Sequence, residues 1–198
     1  MLARDFVKGF CTRRLPCGNS RRSFVGFIDS GSTVQKLSIK KLFNSPAKNV
    51  YDIVSDISKY QEFVPYCKES FVSGIDPTHR TPVEAGLRIQ FQNYDEQVLC
   101  KVQCSDNKND VLSIVAECKE DTLFETLRTS WRISPHPENY EASNVELCLQ
   151  FKFRSLLYQN LSMLFGQKAI QVAIDVFHKR ALQQRHVELN SNKELKVD

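Results

Sequence analysis

The sequence has few of the features that mark common enzyme classes. Only seven of its 198 residues are glycine, and it contains no glycine-rich phosphate loop, no G-x-S-x-G and no H-E-x-x-H motif. The longest uncharged run, residues 155–167, includes glutamine and asparagine and is shorter than a bilayer span requires. These absences argue against nucleotide-binding, hydrolase and zinc-protease functions, and they predict a protein without a transmembrane helix.

The cysteines do not form a recognisable metal or disulfide pattern. There are seven, an odd number, and none are arranged as C-x-x-C. Cys100 and Cys104 are four residues apart in a strand-like stretch, and the four histidines lie away from the cysteines in sequence. A zinc site needs four converging ligands. We therefore expect no metal site and reduced cysteines that pack as small hydrophobic side chains in an intracellular compartment.

The positive charge lies at the N-terminus. The net charge is +4, but residues 1–28 hold six basic side chains and one acid, so the rest of the chain carries −1. The main argument for nucleic-acid binding by the body of the protein is thereby lost, and we expect no nucleic-acid partner. An arginine-rich, acid-poor, amphipathic segment is typical of a mitochondrial transit peptide, and residues 22–24 (RSF) resemble a matrix-protease site. The alternative is a disordered basic arm, or one that touches RNA.

The hydrophobic pattern beyond residue 33 predicts an α+β fold. A strand over 34–43 is followed by an amphipathic helix, with Ser45 as the predicted N-cap and Pro46 at the first helical position. A short helix with a Ser58-x-x-Gln61 capping box comes next. Six strands come next, with alternation clearest over 144–154, and the helical period returns from 156 to 185 with a possible bend at Gly166. A curved antiparallel sheet around one long C-terminal helix would bury all these one-sided strands.

The predicted inward faces offer little chemistry. They carry mainly aliphatic, aromatic, cysteine and threonine side chains, and no pair of titratable groups can be placed together on them. A sheet that curls enough leaves an apolar ligand cavity beneath the helix, whereas a flatter one leaves a solid core. Periodicity does not distinguish these two possibilities, so both remain open on the residue pattern alone.

Three separated segments resemble the coenzyme Q-binding START-domain family of mitochondria. Residues 60–68 (YQEFVPYCK) match that family's first signature except that Tyr66 replaces tryptophan, and residues 123–133 and 151–157 resemble its two later signatures. The resemblance covers residues 34–182. It implies a helix-grip (START-like) fold, a curved antiparallel sheet wrapped around a long C-terminal helix with an apolar cavity. The predicted division is a transit peptide over 1–28, a START-like lipid- and quinone-binding domain over 34–185 and a flexible charged tail over 186–198.

The resemblance further implies a non-catalytic lipid chaperone for ubiquinone or its polyprenylated precursors. Such a protein would act at the matrix side of the inner mitochondrial membrane, support respiratory electron transport and ubiquinone biosynthesis, and contact the biosynthetic complex. We expect no cofactor beyond the bound quinone. The expected ligand-binding residues on the turn and sheet are Phe63, Val64, Pro65, Tyr66, Leu87, Ile89, Phe91, Trp131, Leu147, Leu149, Phe151 and Phe153. Those expected on the helix are Leu161, Phe165, Ile170, Ile174 and Phe177.

Two other functions share this fold. A polyketide cyclase or aromatase would need polar groups at the floor of the cavity, which the predicted inward faces lack. A protein-interaction module acting on ribosomes or on a biosynthetic complex would instead have a solid core and an exposed apolar patch.

Overall fold

The computed structural model describes residues 24–26, 34–91, 94–107, 111–118, 124–154 and 162–194, and within them one antiparallel sheet of eight strands. The strands are β1 (Phe24–Gly26), β2 (Gln35–Phe43), β3 (Cys67–Ile75), β4 (Pro82–Phe91), β5 (Tyr94–Asn107), β6 (Val111–Cys118), β7 (Phe124–His136) and β8 (Asn139–Phe153). The helices are α1 (Ala47–Ser55), a 3₁₀ helix (Ile57–Glu62) and α2 (Ser162–Glu194). The strands lie side by side in the order β1-β2-β8-β7-β6-β5-β4-β3.

The predicted order of elements is confirmed from β2 onward. One strand, two short helices, six strands and a long helix follow one another as the hydrophobic periods indicate. In β8 the inward residues from Val145 to Phe153 are all buried, whereas their neighbours are only half-buried or exposed. This alternation places one face of the sheet on the core and the other towards water.

Several element boundaries differ from the prediction. The strand with the clearest alternation, over 144–154, begins earlier than that pattern, at Asn139, and only a turn at 137–138 separates it from β7, which continues to His136. Helix α2 ends at Glu194 and not at Arg185, so it runs through 186–194 of the segment expected to be a flexible tail. β1 lies within the 1–28 segment and pairs with β2 between Leu37 and Ile39. The division into transit peptide, domain and tail stays a prediction.

The predicted N-cap at Ser45 is wrong. Pro46 is the N-cap residue of α1 and has extended dihedrals (φ −55°, ψ 147°), so the helix begins one residue later than expected. The Ser45 hydroxyl therefore makes no capping hydrogen bond, and Ser45 is fully buried. Its carbonyl oxygen accepts a hydrogen bond from Ser143 Oγ at 2.9 Å, which joins the start of α1 to β8.

The predicted capping box at Ser58 and Gln61 does not form either. Ser58 Oγ donates to Asp56 Oδ1 at 2.6 Å. Gln61 instead bonds twice to Ser70 of β3: its side-chain oxygen accepts from the Ser70 backbone N–H, and its own N–H donates to Ser70 Oγ. Bonds to a strand replace the local cap, and the segment is a 3₁₀ helix that packs against β3 and β4.

The expectation that the cysteines are reduced is wrong for one pair. Cys100 of β5 and Cys118 of β6 are directly opposite in the strand register and form a disulfide bond. The sequence could not show this, because the two cysteines are eighteen positions apart and only the β5–β6 register brings their side chains together. Among the described cysteines, Cys67, Cys104 and Cys148 are free thiols.

Candidate ligand-binding face

Helix α2 covers one side of the inward face of the sheet. It packs against β2 and β8 and against α1. The approach is closest at Gly166, where a Cβ atom would lie 2.5 Å from a ring carbon of Phe151 and 2.6 Å from a methyl carbon of Leu37. Only a glycine lets the start of α2 lie this close to the sheet.

An aromatic cluster closes the core between α2, the 3₁₀ helix and β7. The Phe177 ring centroid lies 5.0 Å from Tyr60, 5.0 Å from Phe63 and 4.8 Å from Trp131. The Tyr60 hydroxyl donates to the backbone carbonyl of Val54, and burial raises the pKa of Tyr60. The phenol therefore stays neutral, and the cluster behaves as packed core.

The structure divides the predicted ligand-binding residues into groups. Eight are buried in one core cluster, five of them on β7 and β8 and three on α2: Trp131, Leu147, Leu149, Phe151, Phe153, Ile170, Ile174 and Phe177. Five are half-buried: Phe63, Val64, Tyr66, Leu87 and Ile89. Pro65 is exposed. Leu161 and the side chains of Phe91 and Phe165 lie outside the described residues. Contact of any of them with a ligand stays a prediction.

The inward face of β4, β5 and the neighbouring parts of β6 and β7 is less covered than the face beneath α2. We call this surface the open face; it consists of Leu87, Ile89, Val98, Cys100, Cys118 and Leu127. All but Val98 are half-buried. The cross-strand pairs Leu87–Val98, Cys100–Cys118 and Cys118–Leu127 make the surface continuous.

Sequence reasoning selected Leu87 and Ile89 on this surface but missed its other four members. The alternation of Val98, Cys100, Val102 and Cys104 places these side chains on one face of β5. That pattern does not show where the helices lie, however. It therefore cannot distinguish the half-covered end of β5 from the buried middle of the same strand.

The open face is apolar, and charges lie at its margin or on the opposite side of the sheet. Glu96, opposite Ile89, is at the end of the face. On the outer side, Arg88 Nε donates to Asp95 Oδ1 at 2.7 Å, and this bond lowers the pKa of Asp95. The open face can therefore bind an apolar molecule, but it offers no acid–base pair for catalysis.

A separate polar cluster lies between α2 and β2. Lys41 Nζ donates to Asp175 Oδ1 at 2.7 Å, and Gln171 Nε2 donates to Asp175 Oδ2 at 2.7 Å. His178 is one turn further along α2, with its ring 4.8 Å from Phe43. At 1.5 Å per residue, Asp175 is about 14 Å along the helix from Gly166. The cluster fastens α2 to β2, and none of its residues belongs to the open face.

His178 predicts a loss of stability at mildly acidic pH. Burial lowers its pKa and the Lys41 charge adds to this, while Asp175 opposes it. The folded protein therefore holds the His178 imidazole neutral. In the unfolded chain the same side chain has its ordinary pKa of about 6.5, so below that pH the unfolded state binds more protons than the folded state. We expect the free energy of unfolding to fall between about pH 7 and pH 5.5, and the fall to be smaller in His178→Phe. Urea denaturation at several pH values measures the free energy of unfolding of both proteins. An equal dependence on pH in the wild type and in His178→Phe would contradict the prediction.

Within the described part of the chain, no helix has the length and hydropathy of a membrane span. The same residues contain no group of three or more histidine, cysteine, aspartate or glutamate side chains placed to hold a metal ion.

Comparisons with known proteins agree with this architecture. Residues 44–177 match the family described as polyketide cyclase / dehydrase and lipid transport. The coenzyme Q-binding protein COQ10, mitochondrial, of Eremothecium gossypii is 46% identical over 166 residues, covering 84% of this chain and 81% of the relative. The protein of the same name from Saccharomyces cerevisiae is 38% identical over 163 residues, covering 81% of this chain and 78% of the relative.

Solved structures show the same fold at low sequence identity. Human STARD10 superposes with a TM-score of 0.68 at 13% identity, over 96% of this chain and 82% of its own. A START superfamily protein from Mycobacterium smegmatis gives a TM-score of 0.66 at 15% identity, over 75% and 98% of the two chains.

An antiparallel sheet with one long helix packed on its apolar inward face defines an α+β protein of the helix-grip (START-like) class. Sequence identity shows which family within this class the chain belongs to, because two curated relatives are more than 30% identical to it over most of both chains. The chain belongs to the family of the mitochondrial coenzyme Q-binding proteins.

Proposed function

We propose that this protein binds coenzyme Q and that the open face holds part of the ligand. The observation that carries the proposal is the open face, a continuous apolar surface on which every residue except the buried Val98 is half-buried. Each CH₂ group of an isoprenoid tail that leaves water contributes about 0.8 kcal/mol. An apolar face can therefore bind such a tail without a charged anchor. The names of the relatives from Eremothecium gossypii and Saccharomyces cerevisiae support this ligand.

The proposed role is non-catalytic. A cyclase on this fold would need polar groups converging on the bound molecule. The open face contributes none, and Lys41 and Asp175 are already engaged with each other. The family description includes cyclases, so this part of the proposal rests on the chemistry of the described surface. We propose a carrier of ubiquinone or its polyprenylated precursors that supports electron transport and quinone biosynthesis.

The proposed location is the mitochondrion, at the matrix side of the inner membrane. The arginine-rich 1–28 segment and the mitochondrial names of the relatives support import. The turn formed by residues 63–66 is the proposed contact with lipid and lies beside the open face. Its Tyr66 carbonyl accepts a hydrogen bond from the Gln90 backbone N–H at 2.9 Å, and Pro65 is exposed. Contact with the biosynthetic complex belongs to the same proposal.

Extraction of bound lipid tests the ligand directly. The protein is expressed in a respiring host and purified without detergent, and the lipids released by solvent are identified by mass spectrometry. We expect an isoprenoid quinone at a molar ratio well above that of an unrelated protein purified in the same way. Quinone at the background ratio would overturn the proposal.

A matched pair of leucine variants tests the position of the site. Leu87 faces the open face from β4, whereas Leu99, on the neighbouring strand, points to the outer side and is 51% exposed. Leu87→Gln places an amide on the apolar surface, so we expect quinone occupancy to fall about tenfold, equivalent to about 1.4 kcal/mol. Leu99→Gln should leave occupancy unchanged. Equal effects of the two variants would remove the site from this face.

A further inference from the structure

The Cys100–Cys118 disulfide lies on the same side of the sheet as the rest of the open face. Val98 and Val102 of β5 are buried on the inward side, whereas Leu99 is 51% exposed on the outer side. Side chains alternate along a strand, so Cys100, two residues from each valine, also faces inward. Cys118 is its directly opposite partner on β6. Both sulfur atoms therefore belong to the surface that we propose holds the ligand.

Apolar side chains flank the disulfide along the strand register. Cys100 is opposite Ala85 of β4, and Cys118 is opposite Leu127 of β7. Val98 precedes Cys100 by two residues, which is about 7 Å of strand. Both cysteines are half-buried. A ring lying between Val98 and the disulfide would therefore contact both of them.

The proposed ligand is an oxidant of thiols. Where thiols are kept reduced, a protein disulfide needs an oxidant in order to form. Quinones accept two electrons and two protons, and they are known to take electrons from protein dithiols. The open face therefore combines an oxidisable cysteine pair with the site that we propose for a quinone.

We propose that a quinone bound on the open face oxidises the thiols of Cys100 and Cys118 to the disulfide. Two S–H bonds break and one S–S bond forms. The two electrons and two protons pass to the carbonyl oxygens of the quinone, which becomes a quinol. The protein is itself the reductant, so the reaction is stoichiometric and agrees with a non-catalytic role. This inference rests on the proposed binding of coenzyme Q and adds a redox reaction to it.

Two other cysteines of the described residues provide a contrast. Cys104 is a free thiol on β5, four residues and about 14 Å of strand from Cys100. Cys148 is a free thiol on β8 between the buried Leu147 and Leu149, so it points to the outer side of the sheet. Cys148 therefore serves as a control thiol that lies off the open face.

Mixing the reduced protein with a quinone in the absence of oxygen tests the reaction. The full-length protein is reduced with dithiothreitol, separated from it by gel filtration and mixed with decylubiquinone, and the quinol is measured by chromatography. We expect one quinol for each Cys100–Cys118 disulfide formed, with the cysteines identified by differential alkylation and mass spectrometry. The rate should level off at high quinone concentration, because the quinone must bind before it reacts.

Four variants locate the reaction. Cys100→Ser/Cys118→Ser should abolish this formation of quinol, whereas Cys148→Ser should behave as the wild type. Leu87→Gln should slow the reaction about tenfold at low quinone concentration, in line with its expected loss of occupancy. Leu99→Gln, on the outer side, should leave the rate unchanged. If the double cysteine variant does not fold, the mapped disulfide of the wild type still decides the question.

The outcomes distinguish this inference from the proposed function. Quinone that binds the reduced protein without formation of quinol and of the Cys100–Cys118 disulfide would overturn the inference and leave the proposed function standing. Equal rates in the wild type and Leu87→Gln would remove the reaction from the open face and also overturn it. Failure of quinone to bind either redox state of the protein would overturn the proposed function itself.

Discussion

Replacing Trp131 with alanine is expected to lower the free energy of unfolding by about 3–5 kcal/mol, the usual cost of removing a large buried aromatic side chain. Trp131 is 6% exposed, and its ring centroid lies 4.8 Å from that of Phe177. The substitution leaves a cavity beneath α2 that the surrounding side chains can fill only in part. Because Trp131 is the only tryptophan, the unfolding midpoint in urea must be followed by circular dichroism.

A conservative variant keeps this prediction testable if Trp131→Ala does not fold. Trp131→Phe preserves an aromatic contact with Phe177 and should cost less than half as much. Quinone occupancy per folded molecule, measured on Trp131→Phe, separates the two roles of this side chain. A large loss of occupancy with little loss of stability would mean that Trp131 contacts the ligand. Little loss of stability in Trp131→Ala would contradict its assignment to the packed core.

Gly166→Ala is expected to destabilise the protein by about 1–3 kcal/mol, as overpacking of a tight core does. Alanine in place of a glycine within a helix normally stabilises by about 1 kcal/mol, so the predicted sign is the reverse of the usual one. The reason is steric: the new Cβ would lie 2.5 Å from a ring carbon of Phe151, which is fully buried and cannot swing away. Chemical denaturation of the two proteins measures the difference.

A double-mutant cycle identifies the contact responsible. Phe151→Leu removes the ring that the Cβ at 166 would meet, so Gly166→Ala should cost less in that background than in the wild type. Independent, additive effects of the two substitutions would mean that Phe151 does not set the distance between α2 and the sheet. A stabilising Gly166→Ala would mean that the close approach is not required.

The periodicity of individual elements predicted most of the architecture. Alternation over residues 144–154 identifies the inward face of β8, and each inward residue from Val145 to Phe153 is buried. Helical spacing places Ile170, Ile174 and Phe177 on the buried side of α2. These predictions succeed because a strand or helix with one apolar face must bury it whatever the details of its neighbours.

Predictions from local sequence motifs were wrong where a residue distant in sequence formed a hydrogen bond or a packing contact in place of the local one. Ser45 has the sequence context of an N-cap but is buried against β8, where Ser143 bonds to its carbonyl. Gln61 fits a capping box but bonds to Ser70 of β3. Gly166 fits a bend in the helix, but in the structure its lack of a side chain instead allows α2 to pack closely against Phe151. In each case a tertiary contact replaced the local one.

The sequence by itself determined the charge-separated N-terminal segment, the order of elements and the apolar inward faces, because composition and periodicity are local properties of the chain. The signature segments pointed to the coenzyme Q-binding family, and relatives at 46% and 38% identity confirm that membership. Only the tertiary structure decided that Cys100 meets Cys118 and that α2 covers β2 and β8 while leaving the open face half-exposed. Strand register and helix placement depend on packing between distant segments, which no local pattern encodes.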